Sequence, residues 1–348
     1  MTSSERVRTT LLGKIPDRVP LFELFIDQKV IDSVCPGMSP EDFADFADLD
    51  VVTCLTMVES PGTMNWVDRG RRIWRDHWGG LQGFTGEVLS VPLDPPRIAC
   101  LEDLAGYVPP DPLANEAVQK ARGLVARFKG KKAICVVGED VFAVSQYLRA
   151  GLANLMEDYL LQPELARRLA RIGVEYHVEL YRRLIDDGVE IIALGDDYAG
   201  KTGTMMSARH FEEYILPGLR TIVAEIRRRG AFCIKHTDGN VWGIFPQLIA
   251  TGVDALGPLE GPYMALEQVR ARSGGKVGVV GNVDVDLLSR GTADQVGAAT
   301  REQLARVSPG GGHLLGSGNS ICSSVKGENF LAMVRTVQRE GAYPIRAA

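Results

Sequence analysis

Eight short segments rich in β-branched residues, spaced by stretches of helical periodicity, restrict this chain more than any other feature. The segments are residues 19–25, 50–56, 133–138, 190–195, 231–235, 255–259, 277–281 and 313–317. Amphipathic stretches at 152–161, 163–187, 208–229, 240–251 and 292–307 fill most of the intervals. Such alternation needs crossover connections, and crossovers produce a parallel sheet. With no Gly-x-Gly-x-x-Gly turn to mark a doubly wound dinucleotide fold, the predicted class is α/β, a closed (β/α)8 TIM barrel whose site lies at the strand C-terminal ends. Ser207 is placed to cap the helix that follows, and Gly230 and Gly252 stand where left-handed C-terminal turns are expected.

Between the second and third segments lies an insertion, residues 59–130, that holds Trp66, Trp74 and Trp78 with Arg69, Arg71, Arg72, Arg75 and the turn Gly79-Gly80. Residues 72–91 read as a β-hairpin, and an insertion after a barrel strand overhangs the mouth as a lid. No repeat or linker divides the chain, so 1–348 is read as one domain. With 45% hydrophobic and 24% charged residues it can bury a large core without disulfides or metal. A net charge of -5 offers no broad cationic surface, which excludes nucleic acid as a partner. Cys35, Cys54, Cys100, Cys135, Cys233 and Cys322 form no CxxC pair, which points to a reducing, cytoplasmic setting. Residues 1–10 lack an apolar signal core and no run approaches the roughly 20 apolar residues of a membrane span, so neither secretion nor insertion is expected.

The chemistry-bearing residues gather at the ends of the apolar segments. His236 and Asp238 follow the run 231–234 at positions i and i+2, a spacing that puts both on one strand face, able to converge on one ion or one substrate proton. Gly239 and Asn240 then turn toward a helix whose N-terminus favours an anion. The plainer alternative is that His236 only bonds loop backbone. Asp196 and Asp197 end the fourth segment; neighbouring strand residues face opposite sides, so one points into the mouth while the other caps or pairs outside. Carboxylates at adjacent strand ends raise each other's pKa unless a cation lies between them, which yields a general acid or a metal site.

Glu139, Glu260, Asn282 and Asp284 occupy other strand ends, where helix capping is the competing explanation. Asn319 and Cys322 lie in a small-residue loop after the last segment that suits close ligand approach, although an inert loop thiol explains Cys322 as well. The expected catalytic set is therefore His236, Asp238, Asp196, Asp197 and Glu139. Glu260, Asn282, Asp284, Asn319 and Asn240 are expected to bind substrate, and His236, Asp238 and Cys322 a metal. His77, His177, His210 and His313 fall on helical, inserted or opposite-end positions and receive no role. The three tryptophans could stack on a flat substrate or simply pack the lid.

Several motifs occur in a telling order: Asp17-Arg-Val-Pro20, Tyr147-Leu-Arg149, Gln162-Pro163-Glu164, Gly195-Asp-Asp-Tyr-Ala-Gly200, Tyr214-Ile-Leu-Pro217, His236-Thr-Asp-Gly-Asn240, Gly281-Asn-Val-Asp284, Gly311-Gly-His-Leu-Leu315 and Glu328-Asn329. With these the chain resembles, nearly end to end, the uroporphyrinogen decarboxylase superfamily of (β/α)8 barrels, which includes tetrapyrrole decarboxylases and cobamide-dependent methyltransferases. The decarboxylases carry an Arg-Gln-Ala-Gly-Arg segment that binds substrate carboxylates, whereas this chain has Phe22-Glu-Leu-Phe-Ile-Asp27. Acidic strand ends also suit a multiply carboxylated porphyrinogen poorly.

The methyltransferase branch is the better match. Its zinc-bearing members ligate the ion through a His-x-Cys and a later Cys. Here His236 matches the first ligand, Asp238 replaces the second, Asn319 stands at the third, and Cys322 follows three residues on. Exchanging thiolates for carboxylate and amide favours a harder, more open site. The resemblance thus implies a methyltransferase or demethylase working on a small substrate with a corrinoid on a carrier protein, zinc as a candidate ion, and a homodimer as a candidate assembly. Two alternatives are a decarboxylase of a small aromatic or heterocyclic acid, which needs no cofactor, and a non-catalytic barrel that binds a corrinoid or another ligand.

Overall fold

The computed structural model describes residues 1–57, 64–84 and 90–345. Its centre is one parallel sheet of seven strands in chain order: β1 (Val51–Leu55), β2 (Ala133–Gly138), β3 (Ile191–Leu194), β4 (Phe232–Lys235), β5 (Ala255–Leu256), β6 (Gly278–Val280) and β7 (His313–Leu314). Helices occupy the connections and cover the outer face, the longest being Pro163–Asp186. No helix among the described residues is long and apolar enough to cross a membrane.

The predicted first strand is an irregular segment that lies against both free edges of this sheet. Phe22 N donates to Leu315 O at 2.9 Å and Leu315 N to Pro20 O at 2.9 Å, while on the other side Asp50 N donates to Leu21 O at 3.1 Å. Pro20 has no N–H to give a ladder, and the buried Asp50 carboxylate takes the Leu21 N–H at 2.8 Å where a neighbouring strand would otherwise supply a carbonyl. The curled sheet is thereby bridged edge to edge, in the manner of a TIM barrel.

Alternation along each strand separates two cores. Phe22, Leu24, Val51, Cys135, Val137, Ile191, Ala193, Ile234, Val280 and Leu314 pack together inside, and the helix Ser3–Leu11 adds Val7 and Leu11 to them from the strands' N-terminal side. Ile134, Val136, Ile192, Leu194, Cys233, Leu256 and Val279 pack outward against the helices. The barrel interior is thus filled, and only the residues just past the strand ends are left to form a site.

The insertion differs from the single predicted hairpin. Asn65–Asp68, Ile73–Arg75, Leu81–Phe84 and Ser90–Leu93 form a four-stranded antiparallel sheet in sequential order. The start of the predicted insertion, Glu59, lies outside the described residues. Two predicted helices are also altered, both at prolines. The stretch 208–229 is broken by a π-helical turn, Phe211–Ile215, before Leu216–Arg228, whose first turn contains Pro217. The stretch 240–251 contributes only Phe245–Ile249, with Pro246 in its first turn. Ser207 does cap its helix through the His210 N–H at 3.1 Å, and Gly230 and Gly252 adopt φ of 82° and 87°.

Gly316 lies at the closing seam, where an added Cβ would collide with the Phe22 carbonyl oxygen. Gly316→Ala must push the first segment away from β7. A loss of about 1–3 kcal/mol is expected from such overpacking, read as a lower urea midpoint at unchanged m-value.

Candidate active site

Strand alternation sorts the polar pairs at three adjacent strand ends. Glu139, Asp197 and His236 continue the inward-facing series of β2, β3 and β4, while Asp140, Asp196 and Lys235 continue the outward one. The inward members form the mouth. The outward members form a buried layer behind it.

Within the mouth, Asp197, His236 and Asp238 offer ligand atoms that all lie within 4.8 Å of one another. His236 Nδ1 lies 2.8 Å from Pro258 O, and because a carbonyl only accepts, Nδ1 carries a proton. Nε2 therefore faces the carboxylates, 3.9 Å from Asp197 and 3.6 Å from Asp238. Backbone and amide donors orient both acids: Asp238 N donates to Asp197 Oδ1 at 2.8 Å, and Asn319 Nδ2 to Asp238 Oδ1 at 2.8 Å. Burial, with Asp197 and Glu260 adding to it, pushes the Asp238 carboxyl up against the opposing pull of His236 and Asn319. Glu260 itself accepts the Gly239 N–H at 3.1 Å. Gly239 has φ of 73°, and a Cβ there would strike the Gly200 carbonyl, so this turn requires glycine.

Beside this group lies a cavity of about 370 Å³ between the four-stranded sheet and the strand ends, with Trp74, Trp78, Gln82 and Phe84 on one side and Glu139, Tyr147 and Asp197 on the other. Asp197 belongs to both the cavity wall and the cluster with His236. Tyr147 Oη donates to Glu139 Oε1, and Tyr181 Oη to the Glu139 carbonyl. Burial raises the Glu139 carboxyl to about 7, with Tyr147 opposing the shift. It can therefore both give and take a proton near neutral pH.

Not every predicted site residue reaches this place. Asp196 borders the cavity beside Asp197, but its carboxylate turns outward, where its oxygens accept the N–H groups of Asp140 (3.1 Å), Phe142 (2.7 Å) and Ala143 (2.9 Å) and cap a helix. Asp284 caps Val285–Arg290 through the Asp286 N–H at 2.6 Å, and Asn240 Oδ1 accepts the Trp242 N–H at 3.2 Å. These three are turn and cap residues, the competing use of short polar side chains at strand ends. Cys322 is absent from the cluster around His236; its Sγ lies 3.2 Å from Ser324 Oγ. Asn282 is buried and holds the Leu259 carbonyl at 2.9 Å, bracing the next loop. His177, expected on a helix surface, is instead buried, as is His313, and burial pulls both imidazoles down to about 4.

Sequence reading missed the layer behind the mouth. Lys235 and Asp140 are fully buried and 3.1 Å apart. Lys235 Nζ also donates to the carbonyls of Asp196 and His236, each at 2.7 Å, and lies 4.3 Å from the centre of the Tyr198 ring. Burial works against the Asp140 charge, yet Lys235 and the donors around it hold this carboxyl below its usual value; burial and Asp140 together push Asp196 well above. A lysine closing the apolar run 231–234 was the available signal. Removing one partner strands a buried charge, so Lys235→Ala should cost about 3–5 kcal/mol in chemical denaturation.

Glu23 was missed too. It is buried, accepts the Ser317 N–H at 2.9 Å, and its Oε2 stands 2.5 Å from Ser317 Oγ. The same hydroxyl also contacts Asn319 O, and one hydroxyl proton cannot serve two acceptors. Burial raises Glu23 from 4.5 to about 8, against Ser317's opposing bonds. A folded-state pKa above the unfolded one means stability present below pH 4.5 that is lost as pH rises through about 8. Glu23→Gln, which keeps the neutral form, should flatten the fall in urea midpoint over that window, and an unchanged profile would refute the assignment.

Residues 87–340 match the family Uroporphyrinogen decarboxylase (URO-D), and the chain belongs to that family. A uroporphyrinogen decarboxylase of Parasynechococcus marenigrum is 27% identical over 188 residues, covering 52% of this chain and 51% of that protein. That of Cupriavidus necator is 27% identical over 190 residues, covering 51% and 49%. The chain thus spans about half the length of the curated relatives it matches. Among solved structures, a methyltransferase from Methanosarcina mazei superposes with a TM-score of 0.78 at 20% identity, covering 97% of this chain and 99% of that one. A B12-independent methionine synthase from a Shewanella species does so at 0.51 and 15% identity, covering 86% of each. At these identities both likenesses bear on the fold alone.

Proposed function

We propose that this protein moves a methyl group between a small substrate and a corrinoid carried on a separate protein. One observation carries the reading: with its proton on Nδ1, His236 turns Nε2 toward two carboxylates at 3.6 and 3.9 Å, too far to bond either, so the cluster is shaped for a cation among its three members. Asp197, His236 and Asp238 fit a divalent ion through oxygen and nitrogen, a set that suits zinc or a harder metal rather than a thiophilic one. Such an ion, when bound, would polarise the substrate heteroatom that carries or accepts the methyl group.

The chain's own residues account for the remaining needs. Asn319 holds Asp238 in place, and Glu260 and Asn282 fix the two loops beside it. Glu139, whose carboxyl burial raises to about 7, supplies the heteroatom proton in its neutral form or takes it in its ionised form while Tyr147 steadies it. Decarboxylation, the activity named for the curated relatives, is favoured less. No lysine or arginine lines the cavity among the described residues, so a carboxylated substrate would meet Asp76, Glu139 and Asp197 instead of a cation.

The test is methylation or demethylation of free cobalamin, followed by its visible spectrum. Glu139→Gln should slow turnover roughly 10²–10⁴-fold, and Asn319→Ala about 10–100-fold. His236→Ala should abolish both turnover and calorimetric binding of zinc; a rate unchanged in that variant discards the reading. Cobalamin binding without turnover of any methyl donor would instead mark a non-catalytic barrel.

A further inference from the structure

The cavity under the four-stranded sheet has a wall that discriminates by charge. We infer that it seats a small organic cation, an ammonium or other onium group held against Trp74, Trp78 and Tyr147 with Glu139 and Asp76 as counter-charges. The inference deepens the methyl-transfer reading and rests on it for treating the occupant as substrate.

At about 370 Å³ the cavity lies at the small end of ligand sites. Its wall combines aromatic rings with the carboxylates of Asp76, Glu139 and Asp197, and the only basic side chain among its described lining residues is His77. An anion there would be repelled by poorly screened carboxylates, and a neutral apolar body would desolvate those carboxylates without return. A cation gains from both kinds of wall, since ring faces attract positive charge and carboxylates pair with it.

Rings of this region already take cations: Arg72 lies 4.7 Å from the centre of Phe84, Arg69 5.6 Å from Trp66, and Arg97 5.3 Å from Tyr107. Asp76 is fixed for such a role by the Gly80 N–H at 2.8 Å and Gln82 Nε2 at 2.7 Å. A cation beside Glu139 draws off its proton and so creates its own counter-ion. Because Asp197 belongs to both places, a cationic body under the sheet leaves the substrate's other end toward His236 and Asp238.

Calorimetry on the intact protein tests this with three probes: choline, its uncharged isostere 3,3-dimethylbutan-1-ol, and benzoate. Choline is expected to bind about tenfold more tightly than the isostere, with benzoate showing no binding. Glu139→Gln should erase most of that preference, and Trp74→Phe, which keeps the sheet packed, should weaken choline while sparing the isostere. Equal affinity for choline and isostere, or tighter binding of benzoate, overturns the inference. Choline preference without any methylation of cobalamin upholds the cation seat and counts against methyl transfer. Methylation from neutral methyl ethers by a protein indifferent to choline upholds methyl transfer and overturns the cation seat.

Discussion

The two-residue period of the parallel strands decides everything at the mouth. Because neighbouring side chains leave a strand on opposite faces, each polar pair at the ends of β2, β3 and β4 is divided: Glu139 from Asp140, Asp197 from Asp196, His236 from Lys235. The side chains of one set face the mouth and those of the other are buried between sheet and helices. The buried set is costly, since Asp140 and Lys235 lose all contact with water, and their attraction is supported by further hydrogen bonds to Asp140 Oδ1 and from Lys235 Nζ. What this arrangement secures is position. Lys235 ties the carbonyls of Asp196 and His236 together, the first from the residue before Asp197 and the second from His236 itself, and Asp197 and His236 are the two residues that face each other across the mouth.

Position is also set from the closing seam. Glu23 on the first segment bonds Ser317, Ser317 contacts the Asn319 carbonyl, and the Asn319 amide holds Asp238. The segment that bridges the two edges of the sheet is therefore mechanically joined to the cluster around His236. A barrel gives this kind of coupling because its first and last elements become neighbours, whereas in an open sheet they would lie at opposite edges.

The fold was largely legible in the sequence because its signal is additive: many apolar runs, each bounded by turn residues, agree on one parallel arrangement. Failures fell where local rules compete. Prolines 217 and 246 sit inside stretches of good helical periodicity; the first follows a π-helical turn that interrupts its helix, and the second begins a helix far shorter than the periodicity suggests. Strand Asn65–Asp68, exposed at alternate residues, carries too little apolar pattern to announce itself. In the site, the spacing of His236 and Asp238 was enough to find the cluster, and the parity argument for Asp196 and Asp197 was sound without naming which faced inward. Asp284 and Asn240 were misplaced because capping and ligand binding use the same short polar side chains at the same strand ends. Lys235, Asp140 and Glu23 escaped because a buried charge is recognisable only once its partner, distant in sequence, is known.

An excess of negative charge then governs what the mouth can hold. Asp197 and Asp238 converge on one imidazole, Glu260 holds the adjoining Gly239 turn, and Asp76 and Glu139 line the cavity that Asp197 shares. Burial and neighbouring carboxylates push Asp238 and Glu139 toward their neutral forms, so protons lessen the repulsion in the mouth. Any cation arriving there does the opposite, stabilising the carboxylates and displacing protons, and so gains affinity as pH rises. A metal ion among Asp197, His236 and Asp238 and an onium group beside Glu139 would both obey this rule, with the Asp197 carboxylate standing between them as a shared counter-charge. On both proposals the mouth would hold two positive partners at once, and the acidic strand ends that ill suit a polycarboxylate are what would hold them together.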